Sequence, residues 1–136
     1  MIHLGVNRYP WTWWALLKLP FLLRKVSPDI IQTWLYHADL VGGLASVFVR
    51  TKLVWNVRQT DISTEHNRKE IVFIAKLAGR LSRFLPEKII CCSDRAKKSH
   101  VEIGYVESKF EVIPNGCDTS VYKPNPKHRT AIRTEL

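Results

Sequence analysis

The regular alternation of apolar runs with helical patterns constrains the fold of this chain most strongly. Five apolar runs have the length and composition of buried strands, at residues 2–6, 28–34, 52–58, 88–92 and 110–113. Helical patterns separate them, at residues 12–26, 38–50, about 64–85 and 93–103. Because strands alternate with helices, we expect right-handed crossovers and a three-layer, Rossmann-like α/β fold, a parallel sheet with helices on both faces.

Local signals mark several boundaries of these elements. Pro20 predicts a kink or break in the first helical pattern. Ser93 is a candidate N-cap for a helix that ends at Gly104, and Asp39 is a candidate N-cap for the helix over 38–50. Residues 114–116, Pro-Asn-Gly, predict a tight turn after the last strand.

The charge balance favours an anionic partner. The 136 residues include 21 Lys and Arg against 12 Asp and Glu, a formal net charge of +9. A phosphate-bearing ligand, an anionic membrane surface and nucleic acid all fit such an excess. No helix-turn-helix, RRM or KH pattern is present, so we do not expect a nucleic-acid partner.

The cysteines and the first apolar stretch indicate a cytoplasmic protein. The three cysteines, Cys91, Cys92 and Cys117, are odd in number and form no CxxC motif, which favours a reducing compartment and gives no zinc pattern. The aromatic-rich stretch 11–23 is shorter than the roughly 20 residues of a spanning helix. Arg24 and Lys25 follow it instead of a cleavage site, so peripheral contact with the inner membrane face is the alternative that stays open.

Polar side chains follow four of the predicted strands, at what should be one edge of the sheet. They are Tyr36, His37 and Asp39; Arg58, Gln59, Thr60 and Asp61; Ser93 and Asp94; and Asn115 and Asp118. His37 and Arg58 are the catalytic candidates, because an imidazole and a guanidinium suit the binding of hydroxyls and phosphate. His37 and Asp39 also form a candidate base and orienter, although capping is the preferred role for Asp39.

No catalytic or nucleotide-binding motif stands out from the residues alone. No Ser-His-Asp order, carboxylate pair or HExxH stands out, and neither GxGxxG nor GxxxxGK[ST] occurs.

The helical pattern over 64–85 has two distinct sides. At 100° per residue, one side is apolar, with Ile71, Ile74, Ala75, Ala78, Leu81 and Leu85. The other side carries Lys69, Lys76, Arg80 and Arg83, beside Phe73, Leu77 and Phe84. A helix that covers a sheet and has a solvated basic face explains most of this pattern. A helix that lies on anionic lipid is the alternative, since its exposed phenylalanines need a reason.

Four segments, in this order and spacing, closely resemble the amino-terminal domain of glycosyltransferase family 4 enzymes. They are PDIIQTWLYHADLVGGLAS, LVWNVRQTD, LSRFLPEKIICCSDRAKKSHVEIGY and KFEVIPNGCDTSVYKP, and the resemblance covers about residues 24–136. It implies a GT-B enzyme with two Rossmann-like domains across a cleft. Residues 1–124 would be part of the acceptor-side domain, and 125–136 would begin the linker to a donor domain.

The resemblance also implies a reaction and a set of cleft residues. Such enzymes transfer a sugar from a UDP- or GDP-linked donor to the hydroxyl of a glycan or lipid-linked acceptor, usually with retention and without a metal. Tyr36, His37 and Asp39 match the loop that faces the acceptor, while Ser93, Asn115 and Gly116 match positions that line the cleft. Arg58 and Gln59 stand where many relatives have a histidine, and Asp61 follows them.

The resemblance further implies that this piece lacks the glycine loop and the donor domain, needs no cofactor of its own, and is inactive alone. Two other interpretations stay open: a non-catalytic Rossmann-like binding module and a basic peripheral membrane-binding domain. In the latter, Lys69, Phe73, Lys76, Arg80 and Arg83 would face the membrane.

Overall fold

The structure, a computed structural model, describes residues 16–63, 65 and 67–135, without the side chain of Lys127. The strand predicted at 2–6 and the first part of the helix predicted at 12–26 lie outside these residues. The described elements are α1 Leu19–Val26, β1 Ile30–Trp34, α2 Tyr36–Val49, β2 Lys52–Val57, α3 Lys69–Leu81, β3 Lys88–Cys91, α4 Asp94–Glu102, β4 Phe110–Val112 and α5 Pro126–Glu135. None of the described helices is long and apolar enough to cross a bilayer.

The four strands form one parallel sheet in the order β1-β2-β3-β4. Each crossover contains a helix, which confirms the predicted parallel, Rossmann-like α/β arrangement. Because all strands run in one direction, their carboxyl ends meet at the same edge of the sheet.

One face of the sheet carries the core. In-register residues on this face are buried, and Trp55 at its centre is 0% exposed. Tyr36 of α2, Ala75 of α3 and Ala96 of α4 join the same cluster. Small residues at these contacts let the helices lie close to the strands, as they do at Gly42, where an added Cβ would overlap the Thr33 methyl group.

Alternate residues on the opposite face are more open to solvent. Ile30, Gln32 and Trp34 of β1 are exposed, as is Glu111 of β4. Helices α2, α3 and α4 all contribute residues to the cluster on the first face.

The start of α2 differs from the sequence-based prediction. The helix begins at Tyr36 with Leu35 at its N-cap position, so Asp39 lies inside the first turn and is not the cap. The Asp39 carboxylate is fully buried and accepts a hydrogen bond of 2.5 Å from Thr33 Oγ1 in β1. Burial raises the pKa of Asp39 to about 7, while the bond from Thr33 lowers it. Asp39 therefore fastens α2 to the sheet, because tertiary pairing outweighs local capping.

A buried histidine joins α2 to α4. His100 Nδ1 lies 2.7 Å from the carbonyl oxygen of Ala96, which can only accept, so Nδ1 carries the proton. Nε2 is then the acceptor for the hydroxyl of Tyr36, at 3.0 Å. Burial lowers the pKa of His100, in keeping with a neutral ring. This contact spans 64 residues of sequence and holds the helices of two crossovers together.

Lys109 closes the end of α3. Its Nζ donates to the carbonyl oxygens of Ser82, Arg83 and Pro86 at 2.7–2.8 Å. A helix end leaves such carbonyls without helical partners, and a cation there also complements the helix dipole. Lys109 directly precedes β4, so these bonds hold the C-terminal end of α3 beside that strand.

Two further local predictions have clear outcomes. The Ser93 hydroxyl accepts from the backbone N–H of Ala96, which confirms it as the N-cap of α4. The turn predicted at 114–116 is wrong: residues 113–118 carry no turn, and the turn follows at 119–121. The Asp118 carboxylate accepts from the backbone N–H and the hydroxyl of Ser120 and so draws the turn toward itself.

We expect Asp39→Asn to stabilise the protein at pH 8 and to have little effect near pH 4. The folded pKa of about 7 lies above the ordinary 3.8, so the neutral carboxyl contributes stability below pH 3.8 that is lost as the pH rises through 7. Asparagine keeps the acceptor for Thr33 without a buried charge, and the gain at pH 8 should be on the order of 1–3 kcal/mol. Urea unfolding at both pH values measures it, with Asp29→Asn as an exposed control. Equal effects at the two pH values would contradict this assignment.

Lys109→Met should lower the free energy of unfolding by about 1–3 kcal/mol, since it keeps the apolar stem but leaves three carbonyls without their donor. Thermal or urea unfolding of this variant and of Lys98→Met, an exposed lysine of α4, provides the comparison. A loss no larger than that of the control would show that the three bonds are not stabilising.

Candidate functional site

Arg58 spans the carboxyl edge of the sheet. It directly follows β2, and its Nη1 donates a hydrogen bond of 2.6 Å to Oδ1 of Asn115, beyond the end of β4. Strand β3 lies between β2 and β4, so the arginine side chain passes the end of β3 to reach its partner. The structure therefore brings together two residues that the sequence predicts at this edge.

Trp34 completes this arrangement, and the sequence-based reasoning missed it. The guanidinium carbon of Arg58 lies 4.8 Å from the centre of the Trp34 ring, a cation–π distance, and the tryptophan is 49% exposed. Trp34 is the last residue of β1 and pairs in register with Asn56, two residues before Arg58. Side chains two residues apart share a sheet face, so strand register was the signal that could have found it.

The loop after β2 uses its polar groups to hold its own shape. Gln59 Nε2 donates to Oδ1 of Asn67 at 3.3 Å. Asn67 Nδ2 in turn donates to the carbonyl oxygens of Asp61 and Ser63. The Asp61 carboxylate accepts from the backbone N–H of Ser63 at 2.8 Å. Gln59 and Asp61 thus order the path from the edge to the start of α3, with Asn67 as a further residue that the sequence did not indicate.

The remaining predicted edge residues fall into two groups. Ser93 lies at the edge as the cap of α4, and Gly116 follows Asn115 in open space, where an added Cβ would contact nothing within 4 Å. Tyr36 and Asp39 are buried under the sheet edge, each with its hydrogen bond to another element. They support the site from beneath and do not offer polar groups to a ligand.

His37 faces a different environment. It is exposed at the wall of an apolar groove of about 630 Å³, which is lined by Leu19 and Leu23 of α1 and by Ile31 of β1, among others. Asp39 bonds Thr33, and no hydrogen bond joins it to His37 in the part of the chain that is described. The structure therefore does not form the base and orienter pair.

The edge cluster, which we define as Trp34, Arg58 and Asn115, has the chemistry of a polar binding surface. Arg58 presents a planar fork of N–H donors and no acceptor, which suits the binding of anions and hydroxyl oxygens. Trp34 offers an apolar ring face, and Asn115 fixes the direction of the fork. No group of three or more His, Cys, Asp or Glu side chains is placed to hold one metal ion among residues 16–63, 65 and 67–135.

Comparisons with known proteins found similar solved structures and a matching protein family. Three crystal structures of Anabaena Alr3699/HepE are similar to this chain: in complex with UDP-glucose (TM-score 0.69, 23% identity), with UDP (0.68, 24%), and with UDP and glucose (0.66, 24%). Each match covers 89% of this chain but only 31–32% of the HepE chain. At this identity the likeness shows a shared fold. Comparison with curated proteins found no match.

The sequence itself carries the family assignment. The family described as Glycosyltransferase Family 4 matches residues 2–121, which is most of the chain and includes all four described strands and the edge cluster. The chain therefore belongs to glycosyltransferase family 4.

Proposed function

We propose that this chain supplies the acceptor side of the cleft in an enzyme of the GT-B type. The enzyme transfers a sugar from a nucleotide-sugar donor to the hydroxyl of a glycan or lipid-linked acceptor, with retention of the anomeric configuration. The observation that carries the proposal is Arg58, held across the edge between the exposed ring of Trp34 and the amide of Asn115. Parallel α/β sheets bind their ligands at this edge.

The edge cluster suits an acceptor sugar. The half-exposed indole ring provides a flat apolar surface for a sugar ring, and the guanidinium provides donors for its hydroxyl oxygens. In the transfer, a bond forms between the acceptor oxygen and the anomeric carbon, and the bond from that carbon to the donor phosphate breaks. The nucleotide leaves with the electron pair of that bond, and its departing phosphate oxygen accepts the proton of the acceptor hydroxyl. Arg58 orients the acceptor and adds positive charge beside the departing phosphate.

We further propose that the donor-binding residues lie outside these 136 residues and that this chain alone does not catalyse transfer. The chain spans about a third of the length of the HepE structures, and their complexes contain UDP-glucose, UDP and glucose. A UDP-linked donor is therefore the first to test. The proposal includes a cytoplasmic location, supported by the three free thiols Cys91, Cys92 and Cys117.

The test is UDP release from UDP-glucose, with and without candidate acceptors, in the natural protein that contains this chain. Arg58→Gln should lower kcat/KM for the acceptor about 10- to 100-fold, because a charge-assisted contact is lost. Arg50→Gln is the matched control, since Arg50 is exposed at the end of α2, near the opposite edge of the sheet.

Acceptor-dependent UDP release that falls in Arg58→Gln and not in Arg50→Gln would support the proposal. Full activity of Arg58→Gln would remove the assigned role of the edge cluster. Saturable sugar binding without UDP release from any donor would instead favour a binding module.

A further inference from the structure

The outward side of α3 exposes large apolar side chains. Phe73 is 68% exposed and Phe84, just past the helix end, is 76% exposed, with Leu77 between them. At 100° per residue, Phe73 and Leu77 lie about 40° apart around the helix axis, and Phe84 follows in the turn directly after the helix. The side chains therefore form one stripe and are not scattered, and an exposed stripe of this kind indicates a contact surface.

Cations flank this stripe along its whole length. Lys69, Lys76 and Arg80 are exposed on the same side of the helix, and Arg83 is exposed just past its end. Within the described residues none of them forms an ion pair, and Glu70 is the sole acidic residue between positions 69 and 85. We call these four cations, together with Phe73, Leu77 and Phe84, the α3 outer face. Its charge is positive and is not neutralised within the described fold.

The opposite side of α3 fixes this surface in place. Val72, Ala75 and Ala78 are buried against the core, and Lys109 binds the carbonyls that follow the helix. The outer face is therefore preformed, and docking would cost little ordering of the backbone.

We propose that the α3 outer face docks this protein onto an anionic membrane surface. The 13-residue helix is about 20 Å long and would lie parallel to the bilayer. Its phenylalanines would enter the boundary between headgroups and acyl chains, and its cations would contact lipid phosphates. A groove of about 290 Å³, lined by Arg80, Arg83 and Phe84 among others, is large enough for a phosphate headgroup at one end of the face.

The position of α3 ties this surface to the edge cluster. Gln59, which lies just past β2 at the carboxyl edge of the sheet, donates a hydrogen bond to Asn67, two residues before the start of α3. Docking would thus hold the Lys69 end of the α3 outer face beside the bilayer, and with it the edge cluster. If the proposed function holds, a lipid-linked acceptor is the substrate class that this placement favours; the docking itself does not depend on that function.

Vesicle co-sedimentation tests the proposal. The protein should bind vesicles of phosphatidylcholine mixed with phosphatidylglycerol, bind pure phosphatidylcholine vesicles far less, and release as the salt concentration rises. Lys76→Glu with Arg80→Glu should weaken partition to the mixed vesicles at least about 20-fold. Phe73→Ser with Phe84→Ser should weaken it about tenfold or more while it leaves the charge unchanged.

The matched control is Arg95→Glu with Lys98→Glu, the same charge change at exposed positions of α4. Circular dichroism and melting curves check that each variant folds, and all substituted side chains are exposed, so the fold should be kept. The proposal fails if the parent protein does not bind the mixed vesicles. It also fails if binding is insensitive to salt, or if the α4 control loses as much binding as the α3 variants. Binding to RNA in place of vesicles, lost in the α3 variants, would overturn the choice of partner.

Discussion

The parallel pairing of β1, β2, β3 and β4 in sequence order is the constraint on which the rest of the structure depends. Parallel neighbours need a crossover, and the crossovers in this chain are helices. Helices α2, α3 and α4 each contribute to the same buried cluster around Trp55. The same pairing gathers the carboxyl ends of all four strands at one edge, which is where the chain presents Trp34, Arg58 and Asn115.

The polar residues fall into two groups: buried ones that join elements of the fold, and exposed ones in the edge cluster. Asp39 bonds α2 to β1, and His100 bonds α4 to α2. Both side chains therefore stabilise the fold and are not available to a ligand. Arg58 is exposed and held from two sides, by a ring face and by an amide oxygen. A side chain that is fixed in direction but open to solvent is prepared for a ligand, because little of its freedom remains to be lost on binding.

The sequence predicted the four described strands and the type of sheet, because apolar runs and their spacing are local signals. The Ser93 cap was predicted for the same reason, because an N-cap hydrogen bond joins the serine to a residue only three positions later in the chain. The Asp39 cap failed because Thr33, six residues earlier, offers a stronger partner once β1 and α2 are packed. Trp34 was missed as a site residue because its role depends on the register between β1 and β2.

Long-range contacts set the limit of what the sequence could reveal. Nothing local to Tyr36 indicates that its hydroxyl will meet His100, and nothing local to Lys109 indicates that it will close α3. The apolar and basic sides of α3 were predicted, because helical periodicity is again a local signal, and the structure confirms the exposure of Phe73 and Phe84.

The central proposal is that these 136 residues hold the acceptor side of the cleft and not the donor side. The most direct measurement is an NMR titration of the indole N–H resonances, with Trp34 assigned through Trp34→Phe and the buried Trp55 as internal reference. A panel of mono- and disaccharides should include ligands that shift the Trp34 signal saturably and leave Trp55 in place, while UDP-glucose shifts neither. Saturable binding of UDP-glucose by this chain, with Trp34 indifferent to every saccharide, would contradict the account.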